Sequence, residues 1–393
     1  MTNFLNRFLL IIVSLTVLAI FYLSFFGIET KKFNQLIEEQ VNKKNEEINI
    51  ELKDIKILLN LKNLSVNFKT KDPIIVVRKK KIRIKEITTN FLLKNFFNKN
   101  LSINELRILT EEIKIKDLIT IMIRNNFNPK LFILNNIIKE GSTIIDLNLN
   151  FNEEGKIKKD YQINAIVKNS KIKILKKQGI DNINFNIVIR DKNYLLEELK
   201  FNYNKVNFLS RLIKIREKKD NFLIEGNFKN NDNNISDKIL SLIVGNNHKN
   251  LTNVNLNSEN TFSLKLSKKF KISELNLLSN IKINSAKYKF TSPVLKSYLP
   301  KFNDLIEIKN HDVTLTYNNN KLAIQGRGNF SIDENNEIID YKISKLKESY
   351  YVESNVQINN NPILINFLEY KKKDKVNSKL FFKGFIDKDN NIS

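Results

Sequence analysis

Cysteine and tryptophan are absent from the 393 residues, and histidine appears twice, as His248 and His311. Without cysteine there is no disulfide framework, no thiolate zinc site and no thiol nucleophile. Two histidines so far apart exclude an HExxH pair and the close clusters of common metal sites. Glycine occurs nine times, proline five times and alanine four times (Ala19, Ala165, Ala286, Ala323), and no Pro- or Gly-rich linker exists. Arginine is scarce: nine residues against 57 lysines, in a chain with a formal charge of +24. The planar side chain favoured at phosphates and bases is therefore in short supply, and no nucleic-acid motif accompanies the charge. What is abundant is asparagine (63), lysine (57) and isoleucine (56). These residue types have AT-rich codons, so part of the bias is genomic.

The length exceeds one average domain and fits two or three domains or one long repetitive body. Residues 8–28, from Phe8 to Ile28, are uncharged and apolar. Twenty-one such residues form about 30 Å of helix, enough to cross a bilayer core. Glu29, Thr30 and Lys31 follow, with no small-x-small cleavage site, so a retained anchor is expected rather than a signal peptide. Arg7 precedes the span, whereas Lys31, Lys32, Lys43 and Lys44 follow it. Read literally, the positive-inside rule puts the body in the cytoplasm. The rule carries little weight in a chain with lysine everywhere.

Beyond the anchor, Phe33, Leu36, Ile37 and Val41 are spaced for a short amphipathic helix at the membrane surface. The period then changes to two: Ile48, Ile50 and Leu52; Leu64, Val66 and Phe68; Ile82 and Ile84. Residues 91–97 and 117–124 revert to helical spacing. From residue 143 alternation dominates, as in Ile145, Leu147, Leu149 and Phe151, or Ile183, Phe185, Ile187 and Ile189. Asn- and Asp-rich connectors such as Asn318-Asn319-Asn320 suit hairpin turns. The pattern predicts roughly 18 to 22 hairpin-connected strands, with one joint at residues 230–250, where a helix is expected. The fold class is mainly β: an N-terminal transmembrane helix, then a long, curled, mostly antiparallel sheet with a few short helices. Sandwich, barrel and open trough would each cover the apolar face. A membrane β-barrel is disfavoured by the helical anchor.

The order of features is similar to the start of the AsmA-like family of envelope proteins, which includes the TamB and YhdP branches. The residues carrying the likeness are NIELKDIKILLNLKNLSVNF, DPIIVVRKKKIRIKEI and FLLKNFFNKNLSINELRILTEEIKIKDL. The stretch from KLAIQGRGNF to KLFFKGFI resembles the central YhdP region. The resemblance divides the chain into an anchor (1–28), a membrane-proximal AsmA-like region (29–142) and a repetitive β-rich body (143–393) that reads as a short or incomplete member. It implies a single-pass inner-membrane protein with a periplasmic body. Phospholipid would pass along its apolar groove between inner and outer membranes, with outer-membrane or periplasmic proteins as further partners. About 20 strands at ~4.8 Å each would make such a body on the order of 100 Å long.

On this reading Ile145, Leu147, Leu149, Phe151, Ile183, Phe185, Ile187 and Ile189 line an acyl-chain groove. Arg78, Lys79, Lys80, Lys81, Arg83 and Lys85 meet anionic headgroups, at roughly 1 kcal/mol per cation near a charged surface. A solvated, edge-protecting strand face explains the same cations. No catalytic, metal or cofactor residue is expected, and no nucleic-acid partner. Gln325-Gly326-Arg327-Gly328 lacks the third glycine and following helix of a nucleotide loop and reads as a strand irregularity. Glu153-Glu154 and Glu197-Glu198 read as turn residues, and both histidines as surface or loop residues. The rival function is an envelope scaffold or assembly factor with a closed sandwich core, acting through protein contacts.

Overall fold

The computed structural model describes residues 2–44, 47–77, 80–93, 103–125, 129–152, 154, 156–175, 178–231, 234–269, 271–346 and 349–387. The first helix is Thr2–Phe25. Its stretch Asn6–Phe25 has a mean hydropathy of 2.6 and none of it is buried, so it is long and apolar enough to cross a membrane. The helix stops earlier than the apolar run because Gly27 adopts a φ of 70°. The N–H groups of Phe26 and Gly27 both donate to the Tyr22 carbonyl, a left-handed glycine stop. Ile28, read as the end of the span, is instead the first residue of strand β1 (Ile28–Thr30).

Twenty-one strands belong to one antiparallel sheet, and among the described residues no pairing closes it into a barrel. The chain divides into two compact units, residues 1–178 with 183–194, and 179–182 with 195–393. The division expected at residue 142 falls inside the first unit.

In the first unit, β1 pairs with β3 (Ile55–Asn60), placing Ile28 opposite Ile57. The ladder continues through β4 (Ser65–Lys71), β6 (Lys80–Leu92), β7 (Glu105–Thr110), β9 (Ile138–Asn150) and β10 (Gln162–Leu175). β2 (Ile48–Glu51) and β5 (Ile74–Val77) extend from the first part of β6. β8 (Ile113–Lys114) adds to β9. Paired residues share a face, so the alternation becomes rows. One row runs Ile57, Phe68, Thr89, Leu106, Leu149, and the next runs Ile55, Thr70, Ile87, Ile108, Leu147, Ile163. The opposite face is polar. There Asn90 Nδ2 donates to Asn67 Oδ1 at 2.8 Å, and Arg107 grips Asp146 through Nε–Oδ1 (2.9 Å) and Nη2–Oδ2 (2.7 Å).

The expected helices at residues 32–44 and 117–124 form as Asn34–Lys44 and Ile115–Asn125. Phe91 and Leu92, read as helical, instead continue β6, where Phe91 faces Val66 and meets the Phe68 ring edge-on at 5.2 Å. Residues 94–97 of that segment lie outside the described residues. A further helix, Pro129–Ile137, was not expected.

β11 (Gln178–Arg190) and β12 (Asn193–Tyr203) cross the division between the units. Glu197 and Glu198 sit within β12 rather than in a turn, with Glu198 at φ 51°; Glu153 lies outside the described residues. The second unit continues through β13 (Val206–Glu217), β14 (Asn221–Asn230), β15 (Leu251–Ser267), β16 (Ile272–Lys289), β17 (Leu305–Asn318), β18 (Lys321–Ser331), β19 (Asn336–Leu346), β20 (Ser349–Gln357) and β23 (Lys379–Ile386). From β13 onward each pairs antiparallel with the next. Asp191-Lys192, Asn204-Lys205 and Asn319-Asn320 all have positive φ at both positions, as tight hairpin turns require. The helix expected near residue 235 is Asp237–Val244, whose Leu240 is buried against Val254 and Ala286. β21 (Ile363–Ile365) and β22 (Tyr370–Lys372) form a separate hairpin. With the helix Pro293–Tyr298 they surround a core of Leu299, Phe302, Ile332, Ile358 and Ile363.

Candidate functional site

Among the described residues, a large apolar cavity lies against the apolar face of the strands in each unit. The first, about 620 Å³, is floored by the rows already described, at Ile55, Phe68, Ile87, Leu106 and Ile108. Phe33, Ile37 and Val41, on and just before the helix Asn34–Lys44, form one wall, and Ile48, Ile50 and Ile75 of β2 and β5 another. Period 3.6 on the helix and period 2 on the strands thus point their apolar residues at the same space. The helix is tied down by its polar side. Asn34 Nδ2 donates to the carbonyls of Leu52 and Lys53, and the Leu52 N–H donates to Glu38 Oε1 at 3.0 Å.

The strand that follows the apolar helix, β1, pairs with β3, whose Ile55 lines this cavity. A Cβ on Gly27 would sit 2.5 Å from the Ile57 carbonyl oxygen and 2.9 Å from Leu58 Cδ2. Only glycine permits that approach at a positive φ.

The second cavity, about 670 Å³, lies between strands β16 to β20 with β23 and a roof formed by the helix Pro293–Tyr298 and the segment around β21. Ile283, Ile308, Phe330, Ile339, Val356 and Leu380 form the floor; Leu295, Leu299, Ile363 and Phe367 form the roof. A buried carboxylate holds that roof. Glu337, 1% exposed, accepts from the backbone N–H groups of Asn359 (2.7 Å), Asn360 (2.9 Å) and Asn361 (2.9 Å), and from Asn361 Nδ2 (2.9 Å). Four donors satisfy the charge that burial would otherwise penalise.

His311 lines this cavity and is buried, contrary to the surface position expected for it. It continues the alternation of Val313, Leu315 and Tyr317 backwards onto the apolar face, opposite Ile283. Burial pushes its imidazole below the ordinary histidine pKa, against the opposing pull of Asp312 and Asp340.

The apolar face of the second unit is interrupted across β14 to β16. Asn260 Nδ2 donates to the Phe228 carbonyl and to Ser258 Oγ, Ser279 Oγ donates to Asn260 Oδ1, and Asn230 Nδ2 donates to the Leu256 carbonyl. Asn230, Asn260 and Ser279 are buried. Beside this seam runs an aromatic ladder, Phe201–Phe208–Phe228–Phe262, with centroid separations of 5.2, 6.1 and 5.9 Å.

Of the groove residues inferred from sequence, Leu147 and Leu149 stand beside Ile108 and Leu106, one strand from the first cavity. Ile145 faces Ala165, and Phe151 bridges to Ile157. On β11, Ile183 is buried and Phe185, Ile187 and Ile189 are half-buried, whereas Asn186 is exposed. None of the eight lines either cavity. Sequence reasoning missed the lining residues of the earlier strands, although Ile55, Ile87 and Ile108 show the same alternation.

Of the basic residues, Lys80 pairs with Asp117 at 2.7 Å and Lys81 with Glu51 at 3.4 Å. Lys81, Arg83 and Lys85 are exposed at alternate positions of β6 and so share a face. Arg78 and Lys79 lie outside the described residues. Comparison with protein-family models, with curated proteins and with solved structures finds no match to this chain.

Proposed function

We propose that the protein is a membrane-anchored, non-enzymatic carrier that takes phospholipid acyl chains from a bilayer and passes them along its apolar sheet face towards a second membrane of a cell envelope. The observation that carries this reading is the first cavity, attached without a linker to the end of a helix able to cross a membrane. With that helix in the inner membrane and the body in the periplasm, the wall formed by Phe33 and Ile37 stands where acyl chains emerge. Each methylene moved into such a cavity avoids a water exposure worth ~0.8 kcal/mol. Such transfer needs no reacting side chain. Lys81, Arg83 and Lys85 supply an exposed basic strip for anionic headgroups.

Native mass spectrometry of protein extracted in mild detergent tests the reading. Phospholipid should accompany the wild type, and Ile108→Asp, at the cavity floor, should strip it, whereas Asn148→Asp on the polar face should not. A wild type free of lipid but holding a specific protein partner would favour a scaffold instead. A C-terminal reporter active only in the cytoplasm would overturn the periplasmic placement.

A further inference from the structure

Two glycines two residues apart interrupt β18, where side chains would ordinarily pack. Both lie on the apolar face, and both make room for a ring. A Cβ at position 326 would overlap Cζ of Tyr341, and one at 328 would fall 2.5 Å from Cγ of His311. The bare backbone of Gly326-Arg327-Gly328 thus seats two polar rings side by side, their centroids 5.5 Å apart. His311 is 4% exposed, and among the described residues neither Nδ1 nor Nε2 has a hydrogen-bond partner. A buried polar group without a partner is costly, and buried groups of this kind normally have one.

The surroundings restrict what that partner can be. His311 faces the second cavity, whose lining among the described residues contains no lysine, arginine, aspartate or glutamate. An anionic headgroup would therefore be buried without a counter-charge. A neutral imidazole offers one donor and one acceptor, and a hydroxyl can answer both. Apart from His311 and the hydroxyls of Tyr298 and Tyr341, the lining is apolar, which suits a hydrocarbon chain. The volume of about 670 Å³ lies within the ~300–1,000 Å³ typical of small-ligand sites.

We propose that the second cavity binds a single-chain, uncharged amphiphile, its hydroxyl hydrogen-bonded to His311 and its chain held between the sheet and the Glu337-pinned roof. The GxG of β18 is then a seat for the recognising ring. This site, its ligand class and its test are independent of the phospholipid reading of the first cavity.

The test uses the full chain in phosphatidylcholine nanodiscs, with histidine ring nitrogens labelled with ¹⁵N. The variant His248→Gln removes the other histidine, so every ring signal reports His311. Titration with 1-palmitoylglycerol should shift the His311 ring nitrogens saturably. Hexadecyl phosphate, with a comparable chain but a charged head, should leave them in place. Binding of radiolabelled 1-palmitoylglycerol should weaken roughly three- to tenfold in His311→Phe, the loss expected of one hydrogen bond. Gly328→Ala, which crowds the ring without removing it, should weaken binding in the same direction. No saturable shift, an equal shift with hexadecyl phosphate, or undiminished binding by folded His311→Phe would each overturn the proposal. Should His311→Phe fail to fold, the two titrations on His248→Gln decide alone.

Discussion

Both units present an apolar sheet face, but they cover it with different material. In the first, the cavity wall is a regular helix, Asn34–Lys44, whose own backbone hydrogen bonds are made internally. In the second, the roof is a short helix and a loop-and-hairpin segment whose backbone donors need outside partners, supplied by Glu337. A helix can be laid over a sheet by apolar periodicity alone. Irregular chain cannot, because its unpaired N–H groups must be satisfied wherever they are buried. The second cavity therefore has a buried carboxylate behind its roof and a polar ring in its lining, whereas the first is walled by a helix and its lining is apolar apart from Lys69, Thr70 and Thr89.

The largest test of this contrast is Glu337→Ala. It leaves four donors without their acceptor, and at about 1–3 kcal/mol for each buried unsatisfied group the loss should reach about 3 kcal/mol or more. Amide exchange at Asn359, Asn360 and Asn361 should accelerate sharply, with no change at Ile55 or Ile57. Equal acceleration in both units would abolish the distinction. Next comes Gly27→Ala, which forces a side chain into a left-handed position against Ile57 and should cost about 1–3 kcal/mol. Here the pattern inverts: exchange at Ile55 and Ile57 should rise, and the Asn359–Asn361 amides should stay protected.

A smaller effect depends on pH. His311 has a lowered pKa in the folded chain, so below about pH 6.5 the unfolded chain takes up a proton that the folded one does not. The contribution of His311 to stability is whole above that pH and is lost as pH falls towards the lower folded value. Urea unfolding of the second unit, followed from neutral to mildly acidic pH, should show this slope in the wild type and not in His311→Phe. The smallest effect is expected at Lys81. Its pair with Glu51 is exposed at both ends, so Lys81→Ala should change the unfolding free energy of the first unit by less than about 0.5 kcal/mol. A larger change would mean that the basic strip of β6 has a structural role.

Much of the strand content was legible because two-residue alternation survives in a chain so rich in isoleucine and asparagine. The positions of the two cavities were not. Ile145 and Ile183 belong to the cleanest alternating runs, which drew attention to them, but closure depends on which distant segment folds over a face. Pro129–Ile137 escaped because Leu131-Phe132-Ile133-Leu134 is a continuous apolar run without either period. The helix Pro293–Tyr298 had a readable signal in Ser292-Pro293: the hydroxyl accepts from the Leu295 N–H at 3.1 Å, and proline occupies the first turn. For His311 the signal was parity with Val313, outweighed by the polar character of the residue. The two glycines of β18 were seen, but the rings they accommodate arrive from β17 and β19, which no local pattern reveals.

Gly27 also has a mechanical consequence. A flexible tether of 20 residues would let the body wander over a root-mean-square distance of about 25 Å. Here two residues, Phe26 and Gly27, separate the end of the helix from a hydrogen-bonded strand. Polymer statistics do not apply to so short a joint. The tilt of the helix is therefore transmitted to the strand ladder as a rotation, and a force pulling on the ladder reaches the helix with no slack to absorb it.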